Sequence, residues 1–131
     1  MSKIEEVMAA RDVTIDDVTQ NLSELITEKS ETLNTVNIAV NEYVRLKNKY
    51  IIKSNELRLQ PDQIKEELGL NKPATEKQQQ AYIDDKLHDL VQDIRIAEEN
   101  VKSWKREVDL LNDKISLEKY RVNLFREMFS K

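Results

Sequence analysis

The sequence predicts an all-α protein built on a long antiparallel helical hairpin of coiled-coil type that forms oligomers. Three observations predict this fold class. Hydrophobic residues recur at alternating spacings of four and three residues through two long segments, the 131 residues include one Gly and two Pro, and blocks of opposite charge alternate along the chain. The length suits one domain, with residues 1–14 as an amino-terminal segment and residues 15–131 as the hairpin.

Composition removes several classes of function. With no Cys and one Gly, the chain cannot build a disulfide scaffold, a thiolate zinc site, a cysteine nucleophile or a glycine-rich phosphate-binding loop. The formal net charge of −4 disfavours indiscriminate binding of polyanions, although local basic segments can still bind them. No stretch approaches the roughly 20 apolar residues that cross a bilayer, and residues 1–12 are too charged for a secretory signal. We therefore expect a cytoplasmic protein without membrane contact.

The first 14 residues are predicted to form a short helix or a flexible segment. Ser2 and Glu5 make a capping box, in which the serine hydroxyl accepts a hydrogen bond from the Glu5 amide and the carboxylate reaches back. Ile4, Val7 and Met8 supply the apolar side of such a helix.

A first long helix is predicted over residues 15–60, because no Gly or Pro interrupts them. A 4-3 repeat runs along this segment and forms a seam, and eight of its eleven positions are apolar or aromatic. Further apolar residues beside the seam widen it, as expected for a helix that contacts more than one neighbour. The seam positions are Leu22, Ile26, Lys29, Leu33, Val36, Val40, Tyr43, Lys47, Tyr50, Ser54 and Leu57. The widening residues are Leu25, Ala39, Val44, Leu46 and Ile51.

Residues 61–75 are predicted to reverse the chain through a turn that contains a short helix. Pro61 suits the first turn of a helix, and Gly69 suits the left-handed residue that follows the end of one. Thr75 and Gln78 form the capping box of the helix that comes next.

The last helix is predicted over residues 76–131, and it has the most regular repeat in the chain. Thirteen of its fourteen seam positions are apolar, which predicts a coiled coil. These positions are Ile83, Leu87, Leu90, Ile94, Ala97, Val101, Trp104, Val108, Leu111, Ile115, Glu118, Val122, Phe125 and Phe129.

Four blocks of charge alternate in sign along the chain. Residues 1–34 have three basic and eight acidic side chains, a net charge of −5, and residues 66–100 have four and nine, also −5. Residues 35–65 have six basic and three acidic side chains, a net charge of +3, and residues 101–131 have eight and five, also +3. Because flanking charges select the direction of pairing in coiled coils, this alternation predicts an antiparallel hairpin in place of one continuous rod.

A reversal at residues 61–75 places basic segments opposite acidic ones, with 41–58 facing 76–99 and 16–31 facing 105–126. A hairpin of two helices has no closed core, so we also expect a homo-oligomer that buries the surplus apolar surface. Aromatic side chains at this periodicity are interpreted as core, the alternative being platforms on which bases stack. The residues predicted for the hairpin seam or the oligomer contact are Val36, Val40, Tyr43, Tyr50, Ile94, Val101, Trp104, Val108, Leu111 and Ile115.

Catalysis is not expected. His88 is the one histidine, and Asp84, one turn before it, suggests a metal or acid–base pair together with Asp85 and Asp89, whereas a solvated helix face explains the same residues. No nucleophile lies beside a base in the sequence, and no loop can form an oxyanion hole. We predict no catalytic residue, metal site, cofactor or small-molecule substrate, and a metal-dependent enzyme that uses His88 is the weakest alternative.

A basic and aromatic segment of the first long helix favours nucleic-acid binding. Arg45, Lys47, Lys49 and Lys53 are interleaved with two Tyr residues, a combination that suits single strands because cations contact phosphates and rings stack on bases. Four further cations surround Trp104 in the same way. The alternative is that all these cations pair with the acidic blocks of the hairpin. The second group consists of Lys102, Lys105, Arg106 and Lys114.

The chain resembles small helical proteins encoded by bacteriophages. Its Lys- and Tyr-rich segment 43–53, the turn that ends with residues 73–77 (PATEK) and the long closing helix are similar in plan to recombination mediators of the UvsY type, over about residues 35–125. The resemblance implies an oligomer that binds single-stranded DNA and helps to load a recombinase onto strands coated by single-strand-binding protein. The residues that it implies as phosphate contacts are Lys47, Lys49, Lys53 and Arg58.

The predicted function is that of a non-enzymatic binding protein. It is an accessory, or mediator, of phage-type DNA recombination or replication that binds single-stranded DNA and a protein partner, such as a recombinase or a single-strand-binding protein, in the host cytoplasm. The alternative is a structural or adaptor coiled-coil protein, such as a virion scaffold or a protein-binding inhibitor, without affinity for nucleic acid. The candidate nucleic-acid-binding residues are Arg45, Lys47, Lys49, Lys53 and Arg58.

Overall fold

A computed structural model of the protein describes residues 15–129 and shows most of them to be helical. No strand occurs within these residues, so the predicted all-α fold is confirmed. None of the helices described is long and apolar enough to span a membrane. The short helix predicted within residues 1–14 lies outside the described residues. The helices are α1 (Ile15–Arg58), α2 (Pro61–Glu67), α3 (Glu76–Lys86) and α4 (His88–Phe129).

Helix α1 extends through 44 residues, since nothing in its sequence interrupts the backbone. Asp16 and Asp17 in its first turn and Arg58 in its last turn have the charges that the helix dipole favours at each end. The helix ends two residues earlier than the sequence predicts. Gln60 has φ −120° and ψ 60°, because the ring of Pro61 disfavours helical backbone angles at the residue before it.

Helix α2 ends in a Schellman motif around Gly69. The Gly69 amide donates to the carbonyl of Glu66, and the Leu70 amide donates to the carbonyl of Lys65, both at 3.0 Å. Gly69 has φ 66°, which residues with a Cβ atom rarely adopt. The left-handed residue that the sequence predicts at Gly69 is confirmed.

Helix α3 begins at the capping box predicted from the sequence, which is confirmed. The Thr75 Oγ1 accepts from the Gln78 amide at 3.2 Å, and the Thr75 amide donates to Gln78 Oε1 at 2.9 Å. The predicted continuous helix is interrupted at Leu87, where φ is −103° and ψ is 25°. The amides of Leu87 and Val91 keep their hydrogen bonds to the carbonyls four residues earlier, at 2.8 and 2.9 Å. The interruption is therefore a change of backbone angle at one residue, whose side chain packs against the core that contains Ile83.

The described chain divides into two compact units. We call residues 37–102 the turn unit, and residues 15–36 with 103–129 the terminal unit. In the turn unit, Ile64 of α2 and Tyr82 and Ile83 of α3 form the buried core. Side chains from α1, the connecting segment and the interruption pack around this core, namely Tyr50, Leu57, Ala74 and Leu87.

Helices α1 and α3 are antiparallel within the turn unit. Tyr50 is hydrogen-bonded to Asp84, whereas Arg58, two turns later on α1, is hydrogen-bonded to Gln80, one turn earlier on α3. Contacts that move forward on one helix and backward on the other define opposite directions. This is the arrangement that the alternation of charge blocks predicts.

The terminal unit packs the first turns of α1 against the last turns of α4. Val18, Val122 and Phe125 form its buried core, with Leu22 against them. Glu118 is buried at a position where the seam repeat requires an apolar residue. Its Oε1 accepts from Arg121 Nη1 at 2.8 Å, and its Oε2 has no hydrogen-bond partner among residues 15–129.

At four alternate seam positions of α1, the more buried residue lies one position earlier than predicted, whereas Ser54 is buried at its predicted position. Ile26 and Leu33 are 49% and 42% exposed, and Lys47 is exposed as well. This register is difficult to predict from the hydrophobic pattern, because Thr32, one of the residues on the buried side, is polar. Thr32 is buried with its hydroxyl donating to the Glu28 carbonyl at 2.8 Å, so its polar atom is satisfied within the helix. The residues that take these positions are Leu25, Thr32, Ala39 and Leu46.

All ten residues predicted for the seam or the oligomer contact are withdrawn from solvent to some degree. The four buried ones are Val36, Val101, Leu111 and Ile115. The six half-buried ones are Val40, Tyr43, Tyr50, Ile94, Trp104 and Val108. Supercoiling and self-association remain predictions.

Glu67 joins α2 to α3. Its Oε2 accepts a hydrogen bond from the Tyr82 hydroxyl at 2.6 Å and lies 3.2 Å from the Nζ of Lys86. The Tyr82 hydroxyl first, and then the Gln63 amide and the Lys86 ammonium, lower the pKa of Glu67, while the carboxylate raises the pKa of Tyr82. The contact is therefore strongest when Glu67 is ionised and Tyr82 is protonated.

Replacing Tyr82 with Phe is expected to lower the melting temperature at neutral pH and to make it less dependent on pH. The folded pKa of Glu67 lies below 4.5, so its contribution to stability is present above pH 4.5 and is lost as the pH falls through the folded pKa. The folded pKa of Tyr82 lies above 10.0, so its contribution to stability is fully present below pH 10.0 and is lost as the pH rises through the folded pKa. Thermal melts from about pH 3 to about pH 11 test this. A difference in melting temperature between the two proteins that stays constant over the whole range contradicts it.

Candidate nucleic-acid interface

Three of the predicted cations line one groove on α1. Arg45, Lys49 and Lys53 are spaced by four residues, so they recur about once per turn and lie about 6 Å apart along the helix axis. The groove is a shallow, open depression between exposed side chains of α1, with a volume of about 420 Å³. Three cations and one carboxylate give it a net charge of +2. We call it the basic groove, and its lining residues are Arg45, Asn48, Lys49, Ile52, Lys53 and Glu56.

Lys49 and Lys53 are the cations of the basic groove for which the described part of the chain provides no carboxylate partner. Both side chains are exposed, and neither forms an ion pair within residues 15–129. Arg45 differs, because its Nε and Nη2 donate to the two carboxylate oxygens of Glu42 at 2.9 and 2.6 Å. This hydrogen-bonded pair raises the pKa of Arg45 and lowers the pKa of Glu42. Lys49 and Lys53 therefore hold the charge that remains available to an anionic ligand.

The other two predicted cations lie outside the basic groove. The Nζ of Lys47 lies 5.3 Å from the centre of the Tyr43 ring, within the distance of a cation–π contact. The guanidinium of Arg58 donates a hydrogen bond to Gln80 of α3. The structure therefore brings together Arg45, Lys49 and Lys53 and places Lys47 and Arg58 elsewhere.

The aromatic residues of this segment are engaged within the protein. Tyr43 is half-buried beneath the Lys47 ammonium. Tyr50 is half-buried, and its hydroxyl donates to Asp84 Oδ1 and accepts from Gln80 Nε2, both at 2.7 Å. Burial and then the bond to Asp84 raise the pKa of Tyr50. The basic groove itself has no ring in its lining, so its chemistry suits phosphates better than stacked bases.

The second predicted basic patch contains a cation that is paired locally. In the turn unit, the Lys102 Nζ lies 3.5 Å from Glu98 and 3.6 Å from Glu99, and these carboxylates raise the pKa of Lys102. In the terminal unit, Trp104 is half-buried. Both observations make this patch a weaker candidate than the basic groove.

The residues considered for metal or acid–base chemistry do not converge. His88 is exposed at the start of α4, and Asp84 accepts hydrogen bonds from Tyr50 and, at 2.9 Å, from Gln80. Across residues 15–129, no group of three or more His, Cys, Asp or Glu side chains is placed to hold a metal ion.

A second groove in the turn unit contains residues that the sequence did not single out. Val91 and Arg95 line it together with the predicted cation Lys47. Their spacing could have identified them. Val91 and Arg95, like Asp84, each lie one residue after a seam position, and these seam positions are Leu90, Ile94 and Ile83. Residues beside a seam flank the trough between two helices.

Comparison with protein-family models, curated proteins and solved structures finds no match to this chain.

Proposed function

We propose that this protein is a non-catalytic binding protein that binds single-stranded DNA through the basic groove, as an accessory, or mediator, of phage-type DNA recombination or replication. The observation that carries the proposal is the pair of exposed lysines, Lys49 and Lys53, one turn apart and without ion-pair partners in the described chain. Cations in a line on one helix suit a flexible strand that can follow them, and each phosphate contact releases a counterion.

The resemblance to UvsY-type mediators supplies the expected context for this activity. It adds a recombinase or a single-strand-binding protein as the protein partner, and it adds a homo-oligomer. Exposed apolar residues of the terminal unit support self-association, because Leu110 and Leu117 lie seven residues apart on α4 and Tyr120 is 62% exposed nearby. Light scattering on the purified protein measures the number of copies.

Charge reversal in the basic groove is expected to abolish most of the affinity for DNA. In the variant with Lys49→Glu and Lys53→Glu, we expect binding of a labelled oligothymidylate to weaken by about tenfold or more, because two phosphate contacts are lost. The slope of log affinity against log salt should fall in magnitude by about 1.4, at about 0.7 for each contact with a single strand. Fluorescence anisotropy over a salt series measures both quantities.

A matched control distinguishes the loss of contacts in the basic groove from the effect of a changed net charge. The variant with Lys72→Glu and Lys77→Glu makes the same change in net charge at two exposed lysines around the start of α3, and we expect it to keep the affinity within about threefold, since only long-range charge is altered. Unchanged affinity in the groove variant, or an equal loss in both variants, contradicts the proposal and favours an adaptor protein that does not bind nucleic acid.

A further inference from the structure

The trough between α1 and the α3–α4 segment forms a second groove in the turn unit, on a different side of α1 from the basic groove. Its volume is about 410 Å³. Ile51 is 51% exposed there, and Val91 and Ile94 are half-buried. We call it the apolar groove, and its lining residues are Lys47, Tyr50, Ile51, Asp84, Val91, Ile94 and Arg95.

The charges at the rim of the apolar groove are predominantly basic. Lys47 and Arg95 are exposed and form no ion pair within residues 15–129. The one carboxylate in the lining, that of Asp84, accepts hydrogen bonds from the neutral Tyr50 hydroxyl and Gln80 side-chain amide and keeps its negative charge. The groove therefore combines aliphatic side chains with two cations and one carboxylate, which leaves it a net positive charge.

We propose that the apolar groove binds an amphipathic helix of a protein partner, with aliphatic side chains on Ile51, Val91 and Ile94 and with carboxylates beside Lys47 and Arg95. An amphipathic helix that lays its apolar side into a hydrophobic trough is a common mode of peptide recognition. Complementary charge at the rim selects an acidic helix over a basic one. This site goes beyond the proposed function, because it is separate from the DNA-binding lysines.

Two other occupants fit the apolar groove less well. A second copy that docks groove to groove about a two-fold axis brings Lys47 and Arg95 of one copy towards the same residues of the other, and this juxtaposition of like charges opposes association. A nucleic acid finds no open ring for stacking, since Tyr50 is half-buried and its hydroxyl is hydrogen-bonded. An acidic amphipathic helix fits better, because it can place aliphatic side chains on the apolar residues of the groove and carboxylates beside the two cations.

The test uses the full chain and two synthetic helical peptides. The peptides share Leu residues at positions i, i+3, i+4 and i+7 and differ in having Glu or Lys at the flanking positions. By anisotropy of the labelled peptide, we expect the acidic peptide to bind at least tenfold more tightly than the basic one. Equal binding of both peptides, or no binding of the acidic peptide up to about 1 mM, overturns the proposal.

Adjacent isoleucines provide a matched pair of variants. Ile51 lines the apolar groove and Ile52 lines the basic groove, with exposures of 51% and 59%, and neighbouring residues on a helix point about 100° apart. We expect Ile51→Asp to weaken binding of the acidic peptide by at least tenfold and Ile52→Asp to leave it unchanged, with circular dichroism showing that both remain helical. Equal effects of the two changes on peptide affinity would contradict the proposal that the peptide binds in the apolar groove.

Two further variants separate this proposal from DNA binding and from self-association. Lys47→Glu should weaken binding of the acidic peptide, whereas the paired change of Lys49 and Lys53 to Glu should preserve most of it. Ile51→Asp should leave binding of the oligothymidylate unchanged. If Ile51→Asp instead turns an oligomer into a monomer by light scattering, the groove is an interface between copies and the proposed occupant is wrong.

Discussion

Replacing Ile83 with Ala is expected to lower the free energy of unfolding by about 2–5 kcal/mol, the usual cost of removing a large aliphatic side chain from a core. Ile83 is 0% exposed and packs with Ile64 and Tyr82 in the buried core of the turn unit, which joins α2 to α3. The cost combines lost burial of the methyl groups with the cavity left behind. Urea unfolding followed by circular dichroism measures the change.

The matched control for this change is Ile96→Ala. Ile96 is 67% exposed on α4, so the same chemical change there should alter the free energy of unfolding by less than about 0.5 kcal/mol. Equal unfolding midpoints for the two variants would mean that Ile83 does not lie in a core.

Replacing Phe125 with Ala is expected to destabilise the terminal unit by about 3–5 kcal/mol. Phe125 is 3% exposed and packs against Val18 and Val122, so its ring connects the first turns of α1 to the last turns of α4. Loss of the ring leaves Val122 and Leu22 as the apolar side chains beside Val18 in that core, and local unfolding of residues 15–36 and 103–129 should follow.

Hydrogen exchange followed by mass spectrometry locates this effect. We expect faster exchange in residues 15–36 and 103–129 of the Phe125→Ala variant, with little change in the segment around Ile64. Tyr120→Ala serves as the control, because Tyr120 is an aromatic residue of the same helix that is 62% exposed. Protection at both chain ends that survives in Phe125→Ala would show that another contact holds them together.

The features of the fold that depend on neighbouring residues in the sequence were predicted correctly. Gly69 and Thr75 were predicted correctly, since a left-handed residue and a capping box depend on neighbours within four residues. The seam predicted for the last helix was regular enough that none of its positions from Ile83 to Phe125, which lie on α3 and α4 and at Leu87 between them, is exposed. The register of α1 was less clear, because apolar residues flank its seam on both sides and the buried Thr32 looks polar in the sequence.

The candidate site was predicted in part. The sequence identified the cations of α1, but the spacing of charges along a chain does not reveal which of them find partners nearby. Arg45 pairs with Glu42 one turn away, Arg58 is hydrogen-bonded to the uncharged Gln80, and Lys47 contacts the Tyr43 ring. Three of the five cations are therefore engaged in interactions that charge blocks do not indicate. The two grooves depend on side-chain direction around one helix, which separates Ile51 from Ile52 although they are neighbours in sequence.

Direct binding of DNA by the purified protein tests the central claim. Labelled oligothymidylate and a duplex of the same length are titrated with the full chain over a salt series, and anisotropy is recorded. The proposal predicts tighter binding of the single strand, because a flexible strand can follow the line of lysines. Two phosphate contacts, from Lys49 and Lys53, predict a slope of log affinity against log salt of about −1.4 for the single strand. The absence of binding at low salt, or equal affinity for the duplex, would contradict the proposed function and make the lysines of α1 a solvated helix surface.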